Sequence, residues 1–296
     1  MEFGIIPPVR TGVTADPTWM RDFAQLVEGC GFESIVAVEH AVVIGDYTSR
    51  YPYAASGRMP LPDDCAIPDP IDLLAFLAAV TERVTLATGV LVVPNHQPVV
   101  LAKRIATLDV LSQGRVRMCL GIGWMEEELR ATGADPRTRG RRMDETIEAM
   151  RALWADSGPA GATFAGEFVS FAHAHSFPKP HRPGGVPLHI GGHSEAAARR
   201  AGRLGDGFQP LGLDAGELED RLGQMRAAAE EAGRDPAAIE VSLSGYLPTT
   251  TEDEVARAEA AGVRRLLVST SMSQDLGTIA AEVEAFARRF GLPAAA

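Results

Sequence analysis

The chain has 296 residues, of which 46% are hydrophobic, enough for one large core. Its net charge of −11 argues against a long nucleic-acid footprint or an anionic-membrane patch, while leaving room for a local basic site. Only Lys103 and Lys179 are lysines, the first within a helical pattern and the second between two prolines, so a Schiff-base enzyme is not expected.

Taken in order, short apolar runs alternate with helical patterns. Strands are expected at Phe3–Ile6, Ser34–Val38, Val84–Leu91, Arg115–Leu120, Pro187–Gly191, Gly207–Pro210, Ile239–Ser244 and Arg264–Ser269. Helices are expected near 16–30, 70–81, 98–112, 138–155, 194–204, 214–233, 252–261 and 276–290. Continuous apolar strands separated by helices indicate a parallel sheet, and eight of each indicate a single (β/α)8 TIM barrel over 1–296. A doubly wound open sheet is the alternative, but no GxGxxG follows the first strand.

Two inserts interrupt the pattern. Residues 41–69, after the second strand, form a Pro- and Tyr-containing loop on the face where barrel enzymes carry their sites, so this is the better lid candidate. Residues 157–183, after the fourth strand and its helix, contain a small hairpin over Thr163–Phe171. The tail Pro293–Ala296 is expected to fray. Cys30, Cys65 and Cys119 are sparse and odd in number, which fits a reducing cytoplasm rather than a disulfide scaffold. The N-terminus lacks the pattern of a signal peptide, and no apolar run approaches the ~18 residues of a transmembrane span.

Candidate site residues cluster at strand ends. Glu39-His40 closes the second strand, where His40 is either a proton donor and acceptor or a structural histidine. Gly89 lies inside an apolar strand pattern, which marks a bulge, a close ligand approach or a packing glycine. The strand runs on to Asn95. Gly121 and Gly123 open the turn after the fourth strand, Trp124 can wall a flat ring, and Glu126–Glu128 start a helix whose dipole alone accounts for acidic residues. Gly191-Gly192-His193-Ser194 reads as strand, turn and helix start: a phosphate seat, or a strand-to-helix turn with a good cap at Ser194. His173, His175, His181, His189 and His193 surround loops without a matching carboxylate, and no metal site is expected. In the insert, Tyr47, Tyr51 and Tyr53 line an apolar pocket or pack the loop, at least one of them doing the latter.

In this order the segments resemble the luciferase-like monooxygenase superfamily, most closely its actinobacterial branch of F420-dependent oxidoreductases. The resemblance spans about Phe3 to Phe290. It rests on Glu39-His40, Pro68-Asp-Pro70, Thr88-Gly-Val90, Leu101-Ala-Lys-x-x-Ala-Thr-Leu-Asp-x-Leu-Ser-x-Gly-Arg115, Gly121-Ile-Gly-Trp-Met-Glu-Glu-Glu128, Pro187-x-x-Ile-Gly-Gly192 and Ala201-Gly-Arg-x-Gly-Asp-Gly207. It implies a flavin or deazaflavin across the strand ends, backed by a non-prolyl cis peptide at Gly89–Val90, with the coenzyme's phosphate tail at Gly191–Ser194. It also implies dimers built through barrel helices. By the same resemblance His40 matches the active-site histidine of the F420-dependent sugar-phosphate dehydrogenases, and Glu126 their proposed acid. There a Gly-Thr-Gly-Glu sequence occupies the place of Gly123-Trp-Met-Glu126, so Trp124 and Met125 are departures. The basic residues that hold a substrate phosphate in those enzymes are not found.

Three functions follow as expectations. The first is an F420-dependent oxidoreductase passing hydride to or from a small organic substrate under the 41–69 loop. The second is a monooxygenase using reduced FMN from a separate reductase. The third is a non-catalytic flavin-binding protein. A phosphate-binding barrel lyase or isomerase is more distant. The ring atom at position 5, carbon in F420 and nitrogen in FMN, separates hydride transfer from oxygen chemistry.

Overall fold

The computed structural model describes residues 1–155 and 158–293. The first residue of the second insert, and the last three of the tail expected to fray, lie outside the described residues. The chain begins with β1 (Glu2–Ile6), α1 (Pro17–Gly29), β2 (Ser34–Ala37), α2 (Pro70–Ala78), β3 (Thr85–Thr88) and β4 (Leu91–Val92). It continues through α3 (Pro98–Leu111), β5 (Val116–Gly121), α4 (Glu126–Ala131), α5 (Arg139–Trp154), β6 (Ala162–Ala165) and β7 (Ser170–Ala174). It closes with β8 (Leu188–Gly191), α6 (Glu195–Leu204), β9 (Gly207–Gln209), α7 (Ala215–Glu231), β10 (Glu240–Tyr246), α8 (Glu252–Ala260), β11 (Arg265–Ser269) and α9 (Leu276–Phe290).

Around the barrel the order is β1, β2, β3, β5, β8, β9, β10 and β11, and pairing of β11 with β1 closes the ring. All these pairings are parallel, giving the eight-stranded barrel expected from the alternating pattern. The third expected strand divides in two. β3 stops at Thr88, the Gly89–Val90 peptide is cis, and β4 resumes the pairing with Leu91 opposite Leu120 of β5. The hairpin β6–β7 is antiparallel, with Phe164 opposite Phe171. It packs on α5 through Glu145, whose carboxylate accepts from the Glu167, Phe168 and Val169 amides. The second insert therefore follows a helix and does not overhang the strand ends.

Helix starts obey local chemistry. Asp16, Asp69, Ser194, Asp214, Thr251 and Asp275 each cap a helix through the side chain, and proline sits in the first turn of α1, α2 and α3. Strand residues alternate between two environments. Phe3, Ile5, Ile35, Leu86, Val116, Met118, Leu188, Ile190, Leu266 and Val268 pack outward into the main core with the helices. The other face of the strands fills the lumen: Arg117, His189 and Arg265 at the lower end, Val36, Ala87 and Leu267 above them, and Gly121 and Gly191 at the top.

The lower lumen is an ion-pair network. Both Arg117 and Arg265 bond Glu33, and Arg265 also bonds Glu2 and Glu240. Burial would raise the Glu33 carboxyl, but the two guanidinium groups and Ser34 hold it down at about 2. His189 is 2% exposed, and burial together with Arg117 and Arg265 pushes its imidazole well below the usual histidine range. Between the two values the unfolded chain binds a proton that the native state does not. His189 therefore stabilises the fold fully above the unfolded value near 6.5, and this contribution fades as pH falls below it, with a slope of up to ~1.4 kcal/mol per pH unit. Urea midpoints should fall between pH 6.5 and 5 in the wild type and fall less steeply in His189→Gln. Equal slopes in both proteins would remove His189 as the cause.

Candidate active site at the barrel mouth

A cavity of about 560 Å³ opens over the C-terminal strand ends. Its wall includes Glu39, His40, Gly89, Val90, Gly121, Gly123, Trp124, Gly191, Gly192, His193 and Ser194, so most candidates read from the sequence converge on one space. Asn95 and Glu126 are outside the lining.

The bulge shapes the floor. Val90 projects over the ends of β5 and β8, its Cγ2 toward Gly121 and its Cγ1 toward Gly191. A Cβ on Gly121 would lie 2.6 Å from Val90, and one on Gly191 would press into it more closely. These glycines therefore make room for Val90. Gly89 is equally confined, since a Cβ there would meet Val36 Cγ1 at 2.6 Å.

Across from the bulge, Gly192 takes a φ of +133°, a conformation suited to glycine, and turns the chain into α6. Ser194 Oγ accepts from the Ala197 amide, and the Ser194 carbonyl from the Ala198 amide. The preceding N–H groups, from His193 through Ala196, have no hydrogen-bond partner among the described residues. Four consecutive free donors at a helix N-terminus, the first two of them on residues that line the cavity, suit an anionic group. This arrangement fits a coenzyme phosphate in the seat and a flat ring against Gly89–Val90.

His40 stands at the end of β2. Its Nδ1 lies 3.0 Å from Glu128 Oε2, while Glu128 Oε1 accepts from the Ala41 amide at 2.6 Å. Glu128 is 2% exposed, and a carboxylate that accepts the Nδ1 hydrogen leaves Nε2, which has no hydrogen-bond partner among the described residues, open to the cavity. Asn95 stands behind this pair, donating to Glu128 at 3.5 Å and accepting from Thr132 Oγ1 at 2.9 Å. Its position is that of a support for Glu128 rather than a coenzyme contact. Glu39 lines the cavity, but its carboxylate is engaged by the Val92 amide and by His96 Nε2 at 2.7 Å.

The three glutamates of α4 have three separate fates. Residues in succession on a helix point about 100° apart, so only one can face the end of β2. Glu126 is 44% exposed and pairs with Arg130 at 2.6 Å and Arg139 at 3.7 Å. The carboxylate hydrogen-bonded to His40 is thus Glu128, while Glu126, the match to the family's proposed acid, faces Arg130 and Arg139. Glu127 accepts from the Thr48 and Ser49 amides and both hydroxyls, fixing the start of the long insert to α4. Burial alone would raise its carboxyl, but these hydrogen bonds hold it at about 2.

The insert covers the mouth with rings. Trp124 meets Tyr47 and Tyr51 edge-on, with centroids 5.2 and 5.1 Å away. Tyr51 continues to Tyr53, and Tyr53 to His193, at 5.4 Å each. Tyr47 is buried, accepts from the Met59 amide and carries Arg58 over its ring, so it packs the loop. Tyr51 and Tyr53 line the cavity. Burial, with Tyr51 beside it, pushes the Tyr53 phenol up to about 12, so it stays protonated.

Other titratable residues lie elsewhere. Lys179 donates to the Leu153 and Ala155 carbonyls at the end of α5, and Lys103 to the Phe177 carbonyl. The five histidines first grouped by sequence are scattered: His173 bonds Ala160, His175 is exposed just past β7, the His181 amide bonds Asp109, His189 sits in the lower lumen, and His193 is at the mouth.

Residues 1–292 match the family model described as luciferase-like monooxygenase. An uncharacterized protein of Mycobacterium tuberculosis strain H37Rv is 36% identical over 249 residues, covering 82% of this chain and 84% of that protein. An F420-dependent glucose-6-phosphate dehydrogenase of Nakamurella multipartita is 30% identical over 238 residues, covering 77% of this chain and 64% of the dehydrogenase. Among solved structures, an F420-dependent secondary alcohol dehydrogenase in complex with an F420-acetone adduct superposes with a TM-score of 0.76, at 19% identity and 97% coverage of both chains. By sequence, barrel and site together, this chain is an enzyme of the luciferase-like monooxygenase family.

Proposed function

We propose that the protein is an F420-dependent oxidoreductase that moves hydride between the deazaflavin coenzyme and a small organic substrate. The observation that carries the reading is that the free amides at the start of α6, beginning with His193 and Ser194, and His40 border one cavity. The amides would hold the coenzyme phosphate, and Gly89 and Val90 would back its ring. When bound, the coenzyme supplies or accepts the hydride at a ring carbon. His40 Nε2 would give or take the accompanying proton, while Glu128 fixes the imidazole's orientation and tautomer. The aromatic cover over Trp124 would exclude water. F420 dependence of the Nakamurella relative supports this choice of coenzyme.

The same seat suits the phosphate of FMN, and the family description favours a second reading, a monooxygenase using reduced FMN from a separate reductase. Fluorescence titration of the apo-protein with F420 and FMN, each oxidised and reduced, decides between them. Preferential F420 binding without oxygen uptake is expected. Preferential binding of reduced FMN with oxygen uptake would replace the first reading with the second, and binding of neither would overturn both. A third reading, a flavin-binding protein without turnover, fails if His40→Ala changes a measured rate.

Val100, Val110, Leu111 and Phe177 are exposed apolar residues, and they support a homodimer as part of the proposal. Light scattering on the titration sample checks it. The three cysteines are free, in keeping with a cytoplasmic protein. Among the described residues no helix is long and apolar enough to cross a membrane.

A further inference from the structure

Charged side chains lining the cavity fall into two groups. Glu39 and Glu128 are engaged as described above. Arg139 faces Glu126, and Arg200 is held by Asp144 and the Gly140 carbonyl. Arg10 and Arg50 are different. Arg10 donates only to the Met272 sulfur, at 3.4 Å, and Arg50 makes no hydrogen bond or ion pair among the described residues. The chain has 39 acidic residues against 28 basic ones, yet among the described residues no acid pairs with either guanidinium.

Their place in the fold separates them from the phosphate seat. Arg10 follows β1, and the seat follows β8; these strands stand on opposite sides of the eight-stranded ring. The wall around Arg10 is built from three loops. The Cys65 thiol donates to the Val9 carbonyl at 3.2 Å, and Gln274 Nε2 to the Thr11 carbonyl at 3.1 Å. Between them Val9, Met59, Leu61 and Ile67 give the cavity an apolar surface. Arg50 enters from the insert beside Tyr51, and the charge of Arg10 also reaches the Tyr51 phenol, opposing the upward push of burial. Both cations therefore border the same aromatic patch.

We infer that Arg10 and Arg50 are the anion-recognition element of the substrate pocket, and that the substrate is a small apolar molecule bearing a carboxylate. A guanidinium presents paired donors that match a carboxylate's two oxygens, and Arg10 and Arg50, both exposed, present theirs at the rim of the cavity beside its apolar wall. Apolar contact alone would hold an acid and the matching alcohol alike. Two unpaired arginines distinguish them. The inference rests on the reading of this cavity as a coenzyme and substrate site.

Isothermal titration of the full-length protein with octanoate, 1-octanol and octylamine tests it, in the wild type and in Arg10→Gln and Arg50→Gln. Octanoate should bind about tenfold tighter than 1-octanol, as expected for a charge-assisted hydrogen-bond pair, and octylamine weakest. Each variant should lose most of that preference while keeping its affinity for the alcohol. Equal binding of acid and alcohol by the wild type, or no saturable octanoate binding, overturns the inference. So does a preference that survives in both variants, which would place the acid at the amides of α6. F420 and FMN are titrated into the same variants. If coenzyme affinity falls in place of octanoate affinity, the arginines serve the coenzyme and the inference fails. If no coenzyme binds but the arginine-dependent preference holds, the inference stands and the coenzyme reading fails.

Discussion

Replacing His40 by alanine is expected to lower turnover by ~10²–10⁴ while leaving the barrel folded and coenzyme affinity close to wild type. His40 lies just past the end of β2 with Nδ1 held by Glu128, so in the proposed mechanism its removal takes away the proton-transfer group without touching a barrel strand. Glu128→Gln is the sharper companion. The amide preserves size, and its oxygen can still accept from the Ala41 amide. Its NH2 group would then face Nδ1, and the imidazole would have to accept there and carry its proton on Nε2. A fall in kcat on the order of 10², with little change in KM for the coenzyme, is expected of a positioning residue. Glu126→Gln should leave kcat near wild type, because that side chain is turned to Arg130. A His40→Ala rate within about threefold of wild type would remove the histidine from the mechanism. A Glu126→Gln loss larger than that of Glu128→Gln would reverse the assignment of the two glutamates.

Gly191→Ala is expected to destabilise the protein by crowding the floor of the cavity. The new Cβ would press into Val90 Cγ1, with Cys119 Sγ at 3.3 Å and the Leu120 carbonyl at 3.4 Å behind it. Val90 is β-branched and stiff, and Gly121 blocks its retreat, because the space on that side already belongs to Val90 Cγ2. Overpacking of this kind costs about 1–3 kcal/mol. For a chain of this length the melting temperature should fall by roughly 2–5 °C. Adding Val90→Ala removes both methyl groups, and the double variant should melt above Gly191→Ala alone, a coupling that a double-mutant cycle measures. If the double variant is no more stable, the crowding lies with Cys119 or the backbone, and Val90 is not the reason for glycine at 191.

The barrel was legible in the sequence because its signals are local and repeated. Short apolar runs, capping residues and helix-period patterns recur eight times, and each observed barrel strand overlaps an expected run. Gly89 also declared itself, as an isolated glycine in a strand pattern, and the pairing does break there. What the sequence left unresolved depends on direction. Glu126, Glu127 and Glu128 are chemically identical and adjacent, so only the rotation of α4 decides which reaches His40. His96 stood beside Asn95 in the sequence but carried no sign that Glu39, distant in sequence, would be its partner. Gly121 was read as opening a turn and Gly191 as part of a phosphate seat or strand-to-helix turn, whereas the immediate neighbour of both is Val90. Arg10 and Arg50 gave no pattern, because an arginine without an acid beside it is a property of the folded surface.

The attachment of the insert by Glu127 bears on how such a site can change. One short helix aligns His40 through Glu128 and anchors Thr48 and Ser49 through the residue before it. The root of the loop and His40 therefore share a foundation, while the stretch that follows, with Arg50, Tyr51 and Tyr53, lines the cavity beyond it. Substitutions beyond the anchor can reshape what enters the mouth without disturbing the imidazole below. Recognition and chemistry are in this sense separately heritable: a lineage can acquire a new substrate by rewriting the outer loop and inherit the reacting centre unchanged.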